Sequence, residues 1–218
     1  MRILILGATG RTGKWVLKLA LKKGYNVHIL VRDCTKITAE ENLTIFHGTP
    51  ADKSMLSKAA ENCKAIISVL NISRTSDFPW AKLRTPASFL SDVMHHIIQV
   101  SEKHQIGRVV VCSAWGVDAT NSDLPFWFRW MIGHSNIGAA YTDHERQEKI
   151  LLQSNLDWTI VRPVGLINKI KPQKILVSYG HKPKPKLTIS RRSVGEFMVN
   201  TLEDDTLIRK LPTISSDY

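Results

Sequence analysis

The sequence has few cysteines and no long apolar run. Its three cysteines, Cys34, Cys63 and Cys112, are too few and too dispersed for a disulfide framework, and no C-x-x-C pair indicates a zinc site. No apolar stretch approaches the about 18 residues that a membrane-spanning helix requires, and the N-terminus has no signal-peptide pattern. We therefore expect a cytoplasmic protein with no membrane span and no metal site.

Acidic residues are also scarce, because 19 Asp and Glu stand against 30 Lys and Arg, for a net charge of +11. This excess favours an anionic partner without identifying it, since dinucleotide phosphates, nucleic acid and a membrane surface all suit it. Residues 169–192 are basic and contain no acid. No stacking aromatic motif accompanies them, so we do not expect nucleic acid to bind. Residues 182–186 predict an extended hairpin connection, and the role of the basic segment is left open.

Three glycines lie between an apolar run at residues 3–6 and an amphipathic run at 14–20. The two runs predict a buried parallel strand and a helix. Glycine between them permits a tight turn, close approach of the backbone to a pyrophosphate and close packing of the helix on the sheet. The helix N-terminus then favours the phosphates. We predict that a dinucleotide binds to this turn, through Gly7, Thr9, Gly10, Arg11, Thr12 and Gly13.

A second predicted strand, at residues 26–31, ends in Arg32 and Asp33. At this distance from the glycines an acid accepts the ribose 2′-hydroxyl of NAD, whereas an arginine suits the 2′-phosphate of NADP. Arg32 therefore favours NADP(H) over NAD(H), and Arg11 is expected to add a charge-assisted contact to the same phosphate. Asp33 keeps NAD as an alternative. The other alternative is that both arginines are solvent-exposed loop residues with no role in binding.

Apolar strands and amphipathic helices alternate along the rest of the chain. Strands are predicted at 43–47, 65–70, 108–112 and 156–163, and helices at 54–61, at 87–104 and from 141 onward. Asp52 is predicted to cap the first of these helices. The alternation predicts a single domain over residues 1–218, of the α/β class, with a Rossmann-type, doubly wound, mainly parallel sheet and helices on both faces.

The glycine turn, with its Gly-Ala-Thr-Gly-x-Thr-Gly pattern, resembles that of the atypical short-chain dehydrogenase/reductases. Within them it is most similar to the small NAD(P)H-binding proteins that include the flavin/biliverdin reductases and the NmrA-like regulators. Leu-Asp-Trp-Thr-Ile-Val-Arg-Pro at residues 156–163 extends the resemblance over nearly the whole chain. The resemblance implies that Leu70 lines the ribose side of the cofactor and that Pro163 and Val164 bring backbone near the nicotinamide. The family's aspartate after Gly48, which contacts the adenine, is replaced by Thr49.

Three residues are candidates for catalysis: Ser113, Tyr141 and His144. Ser113 ends a predicted strand, where its hydroxyl bonds either the nicotinamide or a substrate oxygen, or else its own backbone. His144, three residues after Tyr141, is either a proton relay that titrates near neutrality or a structural residue. The well-known short-chain dehydrogenases use Tyr-x-x-x-Lys, whose lysine lowers the tyrosine pKa. This chain departs from that pattern, because Ala140 and His144 occupy the corresponding positions.

Residues 125–132 form a connecting segment with an unusual number of aromatic side chains. We consider a lid over the nicotinamide, a contact with a second copy or another protein, and a membrane-surface anchor. The whole sequence predicts an NADPH-dependent oxidoreductase that transfers hydride to a small conjugated acceptor of the flavin or quinone type. The alternative is a non-catalytic NADP(H)-binding redox sensor of the NmrA-like kind. The identity of the acceptor, the occurrence of turnover and the oligomeric state are left open.

Overall fold

A computed structural model describes residues 1–171 and 173–217, except for the side chain of Lys36. The described residues form ten strands and six α-helices. The strands are β1 (Arg2–Leu6), β2 (Asn26–Val31), β3 (Leu43–His47), β4 (Ala65–Ser68), β5 (Arg108–Cys112), β6 (Asp157–Pro163), β7 (Gly165–Ile167), β8 (Ile175–Ser178), β9 (Thr188–Ser190) and β10 (Thr213–Ser216). The helices are α1 (Gly13–Lys22), α2 (Lys53–Ala60), α3 (Phe89–His104), α4 (Phe126–Gly133), α5 (Ile137–Leu152) and α6 (Arg191–Asn200). Strands and α-helices alternate in the described chain, except that β2 and β3, α4 and α5, and β6 to β9 are consecutive.

Eight of these strands form one sheet in the order β3-β2-β1-β4-β5-β6-β10-β8, and β7 pairs with β9 separately. All neighbours in the large sheet run parallel except β8, which is antiparallel to β10 at the edge. From β1 the chain winds outward through β2 and β3, then returns to place β4 on the other side of β1. This reversal is the switch point of a doubly wound sheet, so the predicted Rossmann-type fold is confirmed.

The helices cover both faces of the sheet, as predicted. Ile3 and Ile5 of β1 point into a core that α1 and α6 close with side chains such as Val16 and Met198. The alternate residues Leu4 and Leu6 point into a second core, beneath α2, α3 and α5. Because side chains alternate along a strand, a strand covered on both faces must be apolar at every position, as β1 is from Ile3 to Leu6.

Several predicted boundaries are confirmed and others shift. The Oδ1 atom of Asp52 accepts hydrogen bonds from the amides of Ser54 at 2.9 Å and Met55 at 3.2 Å, so the predicted cap of α2 is confirmed. The strand predicted at 65–70 ends at Ser68, and the helix predicted to begin at Tyr141 already begins at Ile137. Apolar periodicity locates an element but does not fix its ends.

Two connections differ more from expectation. Residues 126–133 form helix α4 rather than a purely connecting segment, since Pro125 precedes seven residues free of helix breakers and Gly133 ends the helix. Residues 182–186 lead from β8 to β9, which belong to different sheets, so the predicted hairpin connection is wrong. An antiparallel bridge between Tyr179 and Lys182 closes a tight turn there instead.

Candidate functional site

The carboxyl ends of β1, β2, β4, β5 and β6 border one continuous cleft of about 1150 Å³. This volume exceeds the about 300–1,000 Å³ of a typical small-molecule site, so it has room for a dinucleotide and a second molecule. The cleft lining includes every residue that the sequence nominates for cofactor binding or catalysis: Gly7, Thr9, Gly10, Arg11, Thr12, Gly13, Arg32, Leu70, Ser113, Tyr141, His144, Pro163 and Val164. Their individual roles remain predictions.

The glycine turn forms one end of the cleft and fits the phosphates of a dinucleotide. A Cβ atom on Gly13 would lie 2.0 Å from the Gly7 carbonyl oxygen, so the turn can close this tightly only without a side chain there. A Cβ on Gly10 would meet only that same oxygen, at 3.2 Å. Gly10 therefore leaves space on the cleft side, where a phosphate would approach.

The backbone amides at the start of α1 give a second sign of phosphate binding. Within the described chain, the amides of Arg11, Thr12 and Gly13 have no hydrogen-bond acceptor. Thr12 and Gly13 are buried. Buried amides at a helix N-terminus require an acceptor, and an anion held there also gains from the helix dipole. The residues present thus fit a dinucleotide pyrophosphate.

Charges near this end of the cleft are mostly positive. Arg11, Arg32, Arg74 and Arg191 line it, and Asp77 is the sole carboxylate among its described lining residues. Burial, and then the charge of Arg11, lower the pKa of Arg191, as expected where cations crowd together without enough anions. An added polyanion would relieve this repulsion.

Two of the predicted phosphate contacts have different surroundings. Arg11 donates from both terminal nitrogens to the two carboxylate oxygens of Asp77, each at 2.8 Å, and this pairing lowers the pKa of Asp77. Sequence reasoning missed this ion pair, because the partners lie 66 positions apart. Arg32 lines the cleft and is exposed, whereas the carboxylate of Asp33 accepts bonds from the amide and hydroxyl of Thr35 in its own turn.

Ser113 belongs to a buried polar network in the middle of the cleft. Its hydroxyl donates to Oε1 of Glu148 at 2.5 Å. Arg162 donates from Nε to the same oxygen at 3.0 Å and from Nη2 to Oε2 at 2.5 Å. The Ser113 proton therefore goes to Glu148 and not to the residue's own backbone. The expected contact of Ser113 with the nicotinamide or a substrate oxygen stays a prediction. The Oγ atom retains lone pairs that can accept a bond from a ligand.

Glu148 and Arg162 were not among the predicted site residues. The sequence did indicate such a pair, because Arg162 lies in an apolar strand and a buried arginine requires a buried carboxylate. Glu148 supplies it from α5, and both side chains are nearly inaccessible to solvent. The pair fixes the strand end of β6 against α5, next to the predicted nicotinamide contacts.

Tyr141 and His144 both line the cleft, but neither titrates near neutral pH. Burial raises the pKa of Tyr141 to about 12 and lowers the pKa of His144 to about 4. The expectation that His144 titrates near neutrality is therefore wrong, because the ring is enclosed and its sole hydrogen-bonding neighbour in the described chain is the amide of Gln147. In their neutral forms both side chains can still exchange hydrogen bonds with a ligand.

The other half of the cleft is apolar and aromatic. Trp115, Trp127, Phe128 and Tyr141 line it, and the rings of Phe128 and Tyr141 meet edge to face, with centroids 6.2 Å apart. Among the described residues from 112 to 166 that line the cleft, none carries a charged side chain at neutral pH. This half suits a flat, conjugated molecule.

No cluster of three or more His, Cys, Asp and Glu side chains is arranged to hold a metal ion among the described residues. Likewise, no helix in residues 1–171 or 173–217 has the length and apolar character to cross a bilayer.

Comparison with known proteins gives consistent matches over nearly the full length. A family model described as NAD(P)H-binding matches residues 7–205. An oxidoreductase of Pestalotiopsis microspora is 25% identical over 217 residues, which cover 92% of this chain and 79% of that protein. The structure of a short-chain dehydrogenase/reductase from Veillonella parvula in complex with NADP superposes with a TM-score of 0.79 at 20% identity, covering 99% of this chain and 94% of that one. For ChuY, an anaerobillin reductase of Escherichia coli O157:H7, the TM-score is 0.80 at 19% identity, with coverage of 100% and 98%.

Proposed function

The chain belongs to the family of NAD(P)H-binding proteins, and from this premise we propose that it is an NADPH-dependent oxidoreductase of the atypical short-chain dehydrogenase/reductase type. Its substrate is a small conjugated hydride acceptor of the flavin or quinone type. The names of the Pestalotiopsis and Escherichia relatives, an oxidoreductase and a reductase, support the reaction class.

The observation that carries this proposal is the division of the cleft into two halves. The cationic half, around the glycine turn and Arg32, suits a phosphorylated dinucleotide. The uncharged aromatic half suits a flat ring system. Ser113, at the carboxyl end of β5, lines the same cleft, and in this proposal the nicotinamide and the acceptor meet beside it.

In this proposal Arg32 discriminates between the two nicotinamide cofactors. It is exposed on the lining of the cleft and free to pair with a 2′-phosphate, whereas Asp33 is occupied in its own turn. A guanidinium pairs well with a phosphate and gains nothing comparable from a 2′-hydroxyl. We therefore assign NADP(H) as the preferred cofactor.

The reduced nicotinamide supplies the hydride when the cofactor is bound. The side chains of this protein bind and orient the cofactor and the acceptor. Oγ of Ser113 accepts a bond from an N–H donor of a ligand, because its own proton is held by Glu148. The aromatic half excludes water and holds the acceptor in place, and such positioning is worth about 7–11 kcal/mol in favourable cases. Since His144 is uncharged at neutral pH, any proton that the acceptor needs comes from solvent.

The proposal is tested in two steps with the purified protein. Titration with NADPH and with NADH, followed by energy transfer from tryptophan to the reduced nicotinamide, gives both dissociation constants. Arg32→Glu is expected to weaken NADPH binding by about tenfold or more and NADH binding much less. Lys64→Glu, the same charge change at the amino end of β4, is the control. Equal loss for both cofactors would refute the assignment of Arg32 to the 2′-phosphate.

In the second step, NADPH consumption is followed without acceptor and with riboflavin, FMN or a short-chain quinone. Oxidation is expected only with an acceptor. Trp127→Ala should raise the KM for the acceptor while leaving the NADPH dissociation constant unchanged. Intact NADPH binding with no oxidation by any acceptor would refute the enzymatic proposal.

A second candidate, a redox sensor that binds NADP(H) without turnover, has one specific observation in its favour. The cleft lacks the tyrosine and lysine pair of the well-known short-chain dehydrogenases, and the two titratable groups near its centre, Tyr141 and His144, stay neutral. If the protein is a sensor, NADPH should bind tightly and should not be oxidised by riboflavin, FMN or the quinone.

A further inference from the structure

Five exposed aromatic side chains form what we call the aromatic face: Phe78, Trp80, Phe126, Trp127 and Trp130. Their exposed fractions range from 47% for Trp80 to 76% for Phe126. Three belong to α4, in which seven of eight residues are uncharged and none is buried. A helix that is apolar around most of its circumference is normally covered by protein or lipid. The proposed function uses Trp127 alone of these side chains.

Contacts between the two segments make the aromatic face one surface. The indole nitrogen of Trp80 donates to the carbonyl of His134 at 2.8 Å, and the amide of Asn136 donates to the carbonyl of Trp80 at 3.0 Å. The ring of Trp130 stacks on His134, with centroids 4.9 Å apart. The segment around Trp80 is thereby fastened to the end of α4.

The charges within the two segments that carry the aromatic face are of one sign. Segments 78–84 and 125–134 contain Lys82, Arg84 and Arg129 and no acidic residue. All three cations are exposed, and none has an ion-pair partner in the described part of the chain. The surface therefore combines apolar rings with uncompensated positive charge.

We propose that the aromatic face docks on the surface of an anionic lipid bilayer. Tryptophan favours the boundary between headgroups and acyl chains, and each nearby cation gains from anionic headgroups. A second copy of the chain fits less well, because a two-fold contact through this face would bring like cations together in a protein of net charge +11. Trp127 also lines the cleft, so docking brings the mouth of the cleft to the lipid.

Sedimentation with vesicles tests this proposal without any assay of turnover. The protein is expected to bind vesicles of phosphatidylcholine mixed with phosphatidylglycerol, to bind pure phosphatidylcholine weakly, and to be released by high salt. The double variant Phe126→Ala/Trp130→Ala should lower the partition coefficient at least about tenfold. Leu152→Ala removes an exposed apolar side chain from the end of α5 and should have no effect.

A pair of charge variants tests the electrostatic part. Arg129→Glu should weaken binding to the mixed vesicles, whereas Lys64→Glu, with the same net charge but at the opposite end of the strands, should not. Absence of sedimentation with the mixed vesicles would overturn the proposal, and so would equal binding of wild type and the Phe126/Trp130 variant. A dimer in light scattering that this variant abolishes, without vesicle binding, would assign the face to a second copy.

Discussion

His144 shows how burial changes the chemistry of a single residue. Its side chain is 4% exposed, and this burial lowers its pKa from 6.5 to about 4. Protonation would place a cation in an enclosed site where the hydrogen-bonding neighbour in the described chain is the amide of Gln147 and not a carboxylate, so the folded protein keeps the ring neutral. The residue can exchange hydrogen bonds with a ligand in the cleft, but it does not supply a proton at neutral pH.

This burial predicts a pH dependence of stability. Between about pH 6.5 and pH 4 the unfolded chain binds a proton at His144 and the folded chain does not. Stability therefore falls as the pH decreases through this window and is unaffected by His144 above it, with a total loss of about 3 kcal/mol. Urea unfolding at several pH values gives the free energy of unfolding as a function of pH. Between about pH 6.5 and pH 4, His144→Gln should show a smaller slope than wild type.

The exposed His95→Gln on α3 serves as the control, and it should retain the slope of wild type. His28 also has a pKa lowered by burial and contributes its own slope. Since His28 is present in every variant, the difference between wild type and His144→Gln isolates His144. An identical slope in these two proteins would contradict the assignment.

Helix α3 depends on a cap from a distant element. Asp143 on α5 is fully buried and accepts bonds from the amides of Leu90 at 2.6 Å and Ser91 at 3.3 Å, and from the Ser91 hydroxyl at 2.6 Å. The carboxylate therefore satisfies amides that the first turn of α3 leaves without partners and interacts favourably with the helix dipole. It also fixes α3 against α5, the helix that carries Tyr141, His144 and Glu148.

Asp143→Ala is expected to lower the free energy of unfolding by about 2–4 kcal/mol, because it leaves buried donors without an acceptor. Asp143→Asn should lose less, since its amide oxygen still accepts a bond. Glu145→Ala on the same helix is the control and should change little, as its pair with Lys149 is solvent-exposed. Urea unfolding checks all three variants, and equal losses for Asp143→Ala and Glu145→Ala would contradict the role of the cap.

At the scale of the whole molecule, the sequence predicts those features of the fold and of the cleft that depend on local residue patterns. The apolar runs and the glycine turn identified the fold, and strand ends identified cleft residues such as Arg32 and Ser113, because parallel strands bring their carboxyl ends to one edge. Leu70 was identified only through the family resemblance. The pairing of Arg11 with Asp77 and of Ser113 with Glu148 depends on packing between distant segments. The pKa of His144 depends on how the folded protein encloses the imidazole ring, so no residue spacing in the sequence could predict it.

Binding of the cofactor should stabilise the entire domain. At NADPH concentrations about a hundredfold above its dissociation constant, mass action adds about 2.7 kcal/mol to the folded state. For a domain of this size that corresponds to a rise in Tm of roughly 5–10 °C. NADH at the same concentration should give a smaller rise, because Arg32 then lacks its phosphate partner.

Gly10→Ala tests whether this stabilisation comes from the glycine turn. The added methyl group would meet one protein atom, the Gly7 carbonyl oxygen at 3.2 Å, so the Tm of the ligand-free protein should decrease only slightly. The methyl group projects where a phosphate would approach, so the NADPH-induced rise in Tm should shrink. Gly133→Ala, where a methyl group would meet nothing within 4 Å, is the matched control and should keep the full rise. An equal rise in wild type and Gly10→Ala would place the phosphates away from this turn.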